Sequence, residues 1–402
     1  MRIVAVDTLR FAAHANLLMV RLVTDEGLIG LGETFHAPAA VEAELHERLA
    51  PSLLGADASD PLRLARLPVP YVGYQGSGAE LRARSAIDVA CWDLLGQLTG
   101  QPLVRLLGGA AHDDLPVYNT CAGPGYVQAD EGQAVSNWGL AASGATGRYE
   151  DLEAFLTRPG ELAQELVDEG FWGMKLWPFD PYAERHGGRH IDPGELAAGV
   201  ATVAAIRDAV GEDLEVMVEL HALWDQPTAT RILRALEPFG LRWAEDPVRP
   251  DRGEALARIA QRTTVPIAGG ETIAGVAAYR RLLDLGAYDV VIVDPTWTGG
   301  LSEALGIAAV AASYGLPLAL HDCTGPVSLA ACTHLSLSQP HALVQETVRA
   351  QTRGWYRDLV TGLPPIEGGR IRATDAPGLG LTLDPELAVR PGVYARTSTL
   401  PG

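Results

Sequence analysis

The sequence predicts an α/β fold organised around a parallel β/α barrel, on three observations. Seven short apolar runs each end in or beside a charged or polar side chain: Gly173–Trp177 around Lys175, Leu214–His221, Trp243–Pro247, Ile267–Glu271, Val290–Asp294, Leu318–His321 and Leu343–Glu346. From Glu219 onward these ends recur at steps of roughly 23 to 27 residues, about one strand plus one helix. Stretches of helical spacing, each closed by a Gly or Pro break, lie between the runs, which is the alternation of βαβ units. In a parallel barrel the C-terminal strand ends share one mouth, so these reactive positions are expected to converge there.

Taken in order, residues 1 to about 36 read as a three-stranded antiparallel meander, with Leu17–Val23 and Leu28–Glu33 joined by the turn Thr24-Asp25-Glu26-Gly27. Helices are expected at about Ala39–Ala50 and at Glu80–Thr99, where apolar residues recur at helical spacing. Between them lies the Gly-rich, aromatic loop Tyr71–Gly78. It does not lead from a strand into a helix as a phosphate cradle must, so it reads as a lid rather than a nucleotide site. Beyond Gly109 the βα alternation begins with Leu115–Asn119, and helices are expected at Glu161–Glu169, Pro193–Val210, Thr228–Glu237, Arg252–Arg262, Ala274–Leu285 and Gly300–Tyr314. The stretch Gly123–Tyr149, rich in Gly, Ala and Ser, is longer than an ordinary βα loop, as functional or disordered loops are. The Pro- and Gly-rich tail beyond Tyr356 is expected to pack irregularly against the first domain.

The 402 residues, 47% hydrophobic and 20% charged, have the balance of a globular protein, long enough for a barrel and an appendage. A formal charge of -19 without clustered Lys or Arg argues against a nucleic-acid surface. An anionic substrate would need local cations or a metal to overcome that field. Cys91, Cys121, Cys323 and Cys332 are too dispersed for a disulfide scaffold. The segment Met1–Asp7 reads as a strand rather than a signal peptide, and no run reaches membrane-spanning length. A cytoplasmic protein with reduced thiols is expected.

Glu219, Glu245 and Glu271 end consecutive runs and would converge as three carboxylates. Like charges at that distance cannot all remain ionised without a cation, and oxygen-only ligation suits Mg²⁺. Alone, each would read as a solvated loop residue; in register, they read as a metal site. Asp294 and His321 end the next two runs, where an aspartate accepting one ring N–H would leave the other nitrogen as a base. His221 stands two residues beyond Glu219, so strand alternation would turn both toward the mouth; the alternative is a histidine capping the following turn. Lys175 would neutralise a carboxylate or, with a depressed pKa, act as a base. Glu346 would accept a hydrogen bond from a substrate oxygen, and Trp177, Trp297 and Trp355 read as walls or core. His14, Tyr74, Gln75 and Tyr149, with Trp177, are candidate substrate contacts.

These residues resemble the enolase superfamily, specifically the mandelate racemase-like acid-sugar dehydratases. Ser85–Gly96 with Pro102–Gly109 looks like that family's capping-domain signature, and Glu245-Asp246-Pro247, Gly270-Glu271, Asp294, His321 and Glu346 look like its barrel. The resemblance implies a modified TIM barrel, (β/α)7β, in residues 114–346, with an α+β capping domain from 1–113 and a C-terminal segment, 347–402, returning to it. It also implies Mg²⁺ on Glu219, Glu245 and Glu271, and abstraction of the proton α to a carboxylate. Racemases of this kind carry Lys-x-Lys where this chain has Lys175-Leu176-Trp177, which moves the expectation from racemisation to elimination. Glu219-Leu220-His221 is similar to the Asp-x-His of sugar-acid dehydratases, in which the histidine protonates the leaving hydroxyl. The expected activity is dehydration of an aldonate or aldarate to a 2-keto-3-deoxy acid, with His321, Asp294, His221, Lys175 and Glu346 catalytic. The alternative is a cycloisomerase, lactonizing enzyme or epimerase working on an anhydro-sugar acid or sugar lactone through the same enediolate. The expected partners are a small sugar acid and further copies of the chain, without nucleic acid or membrane.

Overall fold

A computed structural model describes residues 1–64, 76–140 and 149–400. Strands β1 (Ile3–Phe11), β2 (Leu17–Thr24) and β3 (Ile29–Phe35) form the expected meander. The sheet has a fourth member, because Val393–Thr399 pairs antiparallel with β1 from Ala5↔Thr399 to Phe11↔Val393. The tail thus returns as a regular strand, not as irregular packing. Its residues are almost all exposed, so it carries no inward-facing pattern by which to recognise it.

Helix Ala79–Thr99 lies across β3, and two glycines set how closely. A Cβ on Gly30 would sit 2.2 Å from the Ala90 carbonyl oxygen, and one on Gly32 2.0 Å from that of Ala86. The small residues Ala83, Ala86 and Ala90 complete the contact, burying Val6, Leu18, Val20 and Leu22 beneath the helix. The expected Ala39–Ala50 helix runs as Pro38–Ala43, a wider π-helical stretch Glu44–Leu49, and Ala50–Leu53.

The second unit is a closed barrel of eight parallel strands: β4 (Leu115–Thr120), β5 (Gly173–Leu176), β6 (Glu215–Glu219), β7 (Trp243–Glu245), β8 (Ile267–Gly269), β9 (Val290–Val293), β10 (Leu318–Leu320) and β11 (Ala342–Thr347). Each pairs with the next, and β11 closes on β4 through Gln345↔Val117, Glu346↔Tyr118 and Thr347↔Asn119. Tyr118, Met217, Trp243, Ala268, Ile292 and Val344 fill its interior as a packed plug beneath the mouth.

Every expected barrel helix is present within a few residues of its expected bounds, and among the described residues between β4 and β11 the α-helices Asp151–Thr157, Asp180–His186 and Pro326–Ser338 stand beside them, outside the sequence expectation. The cap joins the barrel through buried acid side chains at helix starts. Glu33 of β3 accepts from the Val327 and Ser328 N–H groups at 3.0 and 3.2 Å, and Asp88 accepts from the Ser302 N–H at 3.0 Å. These groups satisfy orphan N–H donors that helices otherwise leave open. No helix among the described residues is long and apolar enough to cross a membrane.

Candidate active site

The strand ends meet as expected from their spacing. Glu219 closes β6, Glu245 closes β7 and Glu271 follows β8, and one carboxylate oxygen from each lies within 4.8 Å of the others. Glu219 Oε1 accepts from the Leu220 and His221 N–H groups at 3.0 and 2.6 Å. Glu245 Oε2 accepts from Trp243 Nε1 at 2.9 Å, and Glu271 Oε2 is buried without a hydrogen-bond partner. Burial, reinforced by mutual repulsion, raises the pKa of both Glu245 and Glu271. Three hard oxygen donors at this separation, one with an unsatisfied buried atom, fit a hard divalent cation such as Mg²⁺. A second group, His186, Asp192 and Glu195, is a helix start. Asp192 and Glu195 form a capping box, and His186 Nε2 stands 3.0 Å from Glu195 Oε2.

Lys175 on β5 lies among the acids, with Nζ 2.9 Å from Glu245, 3.0 Å from Glu346 and 3.6 Å from Glu219. Burial opposes its charge, but Glu245 and Glu346 outweigh that and push its pKa up. Among these acids its pKa is raised, not depressed. Glu346 is engaged on both oxygens, by Lys175 and the Thr120 hydroxyl on one and by the Asp322 N–H at 2.9 Å on the other. Free acceptor capacity toward a substrate oxygen is therefore small.

His321 and Asp294 pair through Nδ1 and Oδ2 at 2.8 Å. Asp294 Oδ1 accepts from the N–H and hydroxyl of Thr296, both at 2.7 Å, so the carboxylate is held from both sides. An ionised aspartate only accepts, so His321 Nδ1 carries the proton and Nε2 turns to the cavity, 3.6 Å from Glu271 Oε2. Burial would lower the His321 pKa; Glu271 and Asp294 reverse this and raise it to about 10.

His221 reaches the same cavity by a different route from the one expected. β6 ends at Glu219, and His221 and Ala222 form a left-handed turn with φ of 47° and 56°, so strand alternation does not set its direction. Consecutive non-Gly residues in this region are strained by roughly 1 kcal/mol or more each, which is common at functional sites. The Ala222 N–H donates to the Asp246 carbonyl at 2.7 Å and holds the turn. His221 Nδ1 lies 2.6 Å from Asp180 Oδ2, a partner absent from the sequence reading. Burial lowers the His221 pKa, but Asp180 and Glu219 outweigh it and raise it to about 10.

The cavity is closed by aromatic groups. Trp177 is buried against Tyr126, Phe155 and His221, with ring centroids 5.2, 5.2 and 5.8 Å away, and Trp297 lies 4.8 Å from His321. The indole N–H groups of both tryptophans are buried without partners. Phe35 of the cap and Gln133 of the long β4 loop also line it. His14 and Tyr149 do not; they line a separate cavity of about 590 Å³, where His14 stacks on Trp355 at 4.2 Å. Tyr74 and Gln75 lie outside the described residues.

Two family models match the chain: the mandelate racemase / muconate lactonizing enzyme N-terminal domain over residues 4–108, and the enolase C-terminal domain-like family over residues 159–387. The chain is 31% identical to a D-galactonate dehydratase of Ralstonia nicotianae, covering 92% of this chain and 90% of that protein. It is 30% identical to a D-xylonate dehydratase of Haloferax volcanii, covering 91% and 83%. A crystal structure of an enolase of the mandelate racemase subgroup from Agrobacterium tumefaciens superposes with a TM-score of 0.87 at 40% identity, covering 100% of this chain and 99% of that one. Fold, cap and strand-end acids together define an enolase-type barrel enzyme. The chain belongs to the mandelate racemase / muconate lactonizing enzyme family of the enolase superfamily.

Proposed function

We propose that the protein is a Mg²⁺-dependent acid-sugar dehydratase that converts an aldonate or aldarate to a 2-keto-3-deoxy acid. One observation carries this reading: two histidines, each oriented by an aspartate, face one cavity beside the carboxylate triad. β6 and β10, which place His221 and His321, stand four strands apart either way around the closed barrel. The two imidazoles therefore approach a substrate from opposite sides, as base and acid for an elimination. The dehydratase names of relatives about 30% identical over nearly the whole chain support the same class.

In this reading Nε2 of His321 removes the proton from C2, next to the carboxylate. Electron density moves toward the carboxylate, the C3–O bond breaks, and Nε2 of His221 gives the departing oxygen its proton, so that it leaves as water. The enol left behind tautomerises to the 2-keto acid. Lys175 supplies a fixed positive charge beside the developing negative one. Mg²⁺ held by Glu219, Glu245 and Glu271 would supply Lewis-acid stabilisation of that charge and offset the Glu271 carboxylate that raises His321. The Trp177 indole cannot act as a general acid or base, so the two-base racemisation of Lys-x-Lys relatives has no counterpart on β5.

The test is a panel of mono- and diacid sugars incubated with Mg²⁺, read for 2-keto acid and product mass. Loss of one water supports dehydration. A product of unchanged mass would instead establish cycloisomerisation or epimerisation. His321→Asn should abolish both turnover and deuterium exchange at C2; retained exchange would remove His321 as the base.

A further inference from the structure

We infer that Asp180 is the positioning residue of the proton-donor half of the reaction, holding His221 as Asp294 holds His321. The inference rests on the dehydratase reading. Asp180 begins helix Asp180–His186, just beyond β5, and is buried with Oδ2 2.6 Å from His221 Nδ1. Its position repeats that of the other pair by one rule of topology. Asp294 follows β9 and serves the histidine after β10; Asp180 follows β5 and serves the histidine after β6. Each histidine is thus oriented from the strand before its own, and the two pairs stand on opposite sides of the mouth.

The geometry does work that the turn alone cannot. His221 leaves the strand in a left-handed conformation, which by itself does not select one side-chain rotamer. Two contacts remove that freedom: Asp180 on Nδ1 and the edge of Trp177 at 5.8 Å. A carboxylate accepting from Nδ1 leaves Nε2 as the atom facing the cavity. Nε2 can then transfer its proton to the oxygen leaving C3, while the C2 proton has already gone to His321. An amide at position 180 keeps the shape but loses the charge, and can donate to Nδ1 and so favour the wrong tautomer.

This separates the two bond-breaking events, and the experiment reads them separately. Wild type, Asp180→Asn and Asp180→Glu are incubated in D₂O with Mg²⁺ and a turned-over sugar acid. Keto acid formation and deuterium appearing at C2 of recovered substrate are then measured. Asp180→Asn should lower keto acid formation by about 10²-fold or more, the usual contribution of a general acid. C2 exchange should fall by less than about 10-fold, so exchange relative to turnover rises at least tenfold. Asp180→Glu, which restores a carboxylate, should recover part of the turnover. Asp294→Asn should instead lower both in proportion.

Proportional loss of exchange and turnover in Asp180→Asn overturns the assignment, as does wild-type turnover in that variant. Should Asp180→Asn fail to fold by circular dichroism, the ratio in Asp180→Glu decides, an unchanged ratio overturning the assignment. Absence of any dehydrated product from wild type across the panel would instead defeat the dehydratase reading itself, which keeps the two failures distinct.

Discussion

Replacing Arg349 with Met should be the most damaging single change at the seam where the barrel closes. Arg349 follows β11 and is 2% exposed, with Nε and one terminal nitrogen 2.8 and 2.7 Å from the two oxygens of buried Asp151. Its own N–H donates to Asn119 Oδ1 of β4 at 2.8 Å, and Asn119 Nδ2 donates to Asp151 at 2.9 Å. The clamp thus ties β11, which carries Glu346, to β4, which carries Thr120. Removing one partner of a buried ion pair leaves an uncompensated charge and costs about 3–5 kcal/mol. The bonds to Glu165 and Glu169, on half-exposed partners, add at most about 1 kcal/mol each. Urea unfolding checks this: with a slope of a few kcal/mol per molar, the midpoint should fall by roughly 1 M. Arg349→Met combined with Asp151→Asn, which removes the stranded charge but keeps an acceptor for Asn119, should recover at least half of the loss. A loss below about 1 kcal/mol in Arg349→Met, or a double variant that costs the sum of the singles, would refute the clamp.

Three further expectations concern charge. Burial raises Asp88 and Asp93 to about 7 and Glu33 to about 8. Between their unfolded values near 4 and these folded values, the native state holds protons that the unfolded state has released, so stability should fall as pH rises from 5 to 8. Urea midpoints at several pH values should show that slope, and Glu33→Gln should flatten it. Calorimetry should find divalent-cation binding that Glu219→Gln, Glu245→Gln and Glu271→Gln each weaken, and chelation should abolish turnover reversibly; unchanged affinity in all three would place the cation elsewhere. Lys175→Met should lower turnover steeply while leaving the far-ultraviolet dichroism intact, because it removes the ammonium that stands within 3.6 Å of three buried acids.

The barrel was legible because buried parallel strands are short apolar runs and their C-terminal ends must face one opening. That constraint also made Glu219, Glu245, Glu271, Asp294 and His321 readable from spacing alone. It fails where an element lacks contrast between faces. Helix Pro326–Ser338 is buried on nearly every residue, so no polar face marks its period, and the strand Val393–Thr399 is exposed on nearly every residue, so no apolar face marks it. His14 and Tyr149 have suitable chemistry but no strand end to place them, and both line another cavity.

Asp180 shows where strand-end spacing stops being informative. A strand end reports which side chains reach the mouth, but the partner that orients such a side chain can come from any short element that follows. Asp294 is legible because it stands at a strand end itself. Asp180 sits four residues past β5, in a seven-residue helix introduced by Trp177-Pro178-Phe179 and stopped by Gly187-Gly188, which in sequence reads as a loop. The signal available is chemical: a histidine beside a cluster of carboxylates needs a fixed tautomer to transfer a proton in one direction, so an acid is owed to its other nitrogen. Among the acids of the preceding βα segment, Asp180 is the one nearest the strand end. The same reasoning explains why the even steps between strands divide into unlike roles: the spacing delivers side chains to the mouth, and the groups behind them decide which atom of each one reacts.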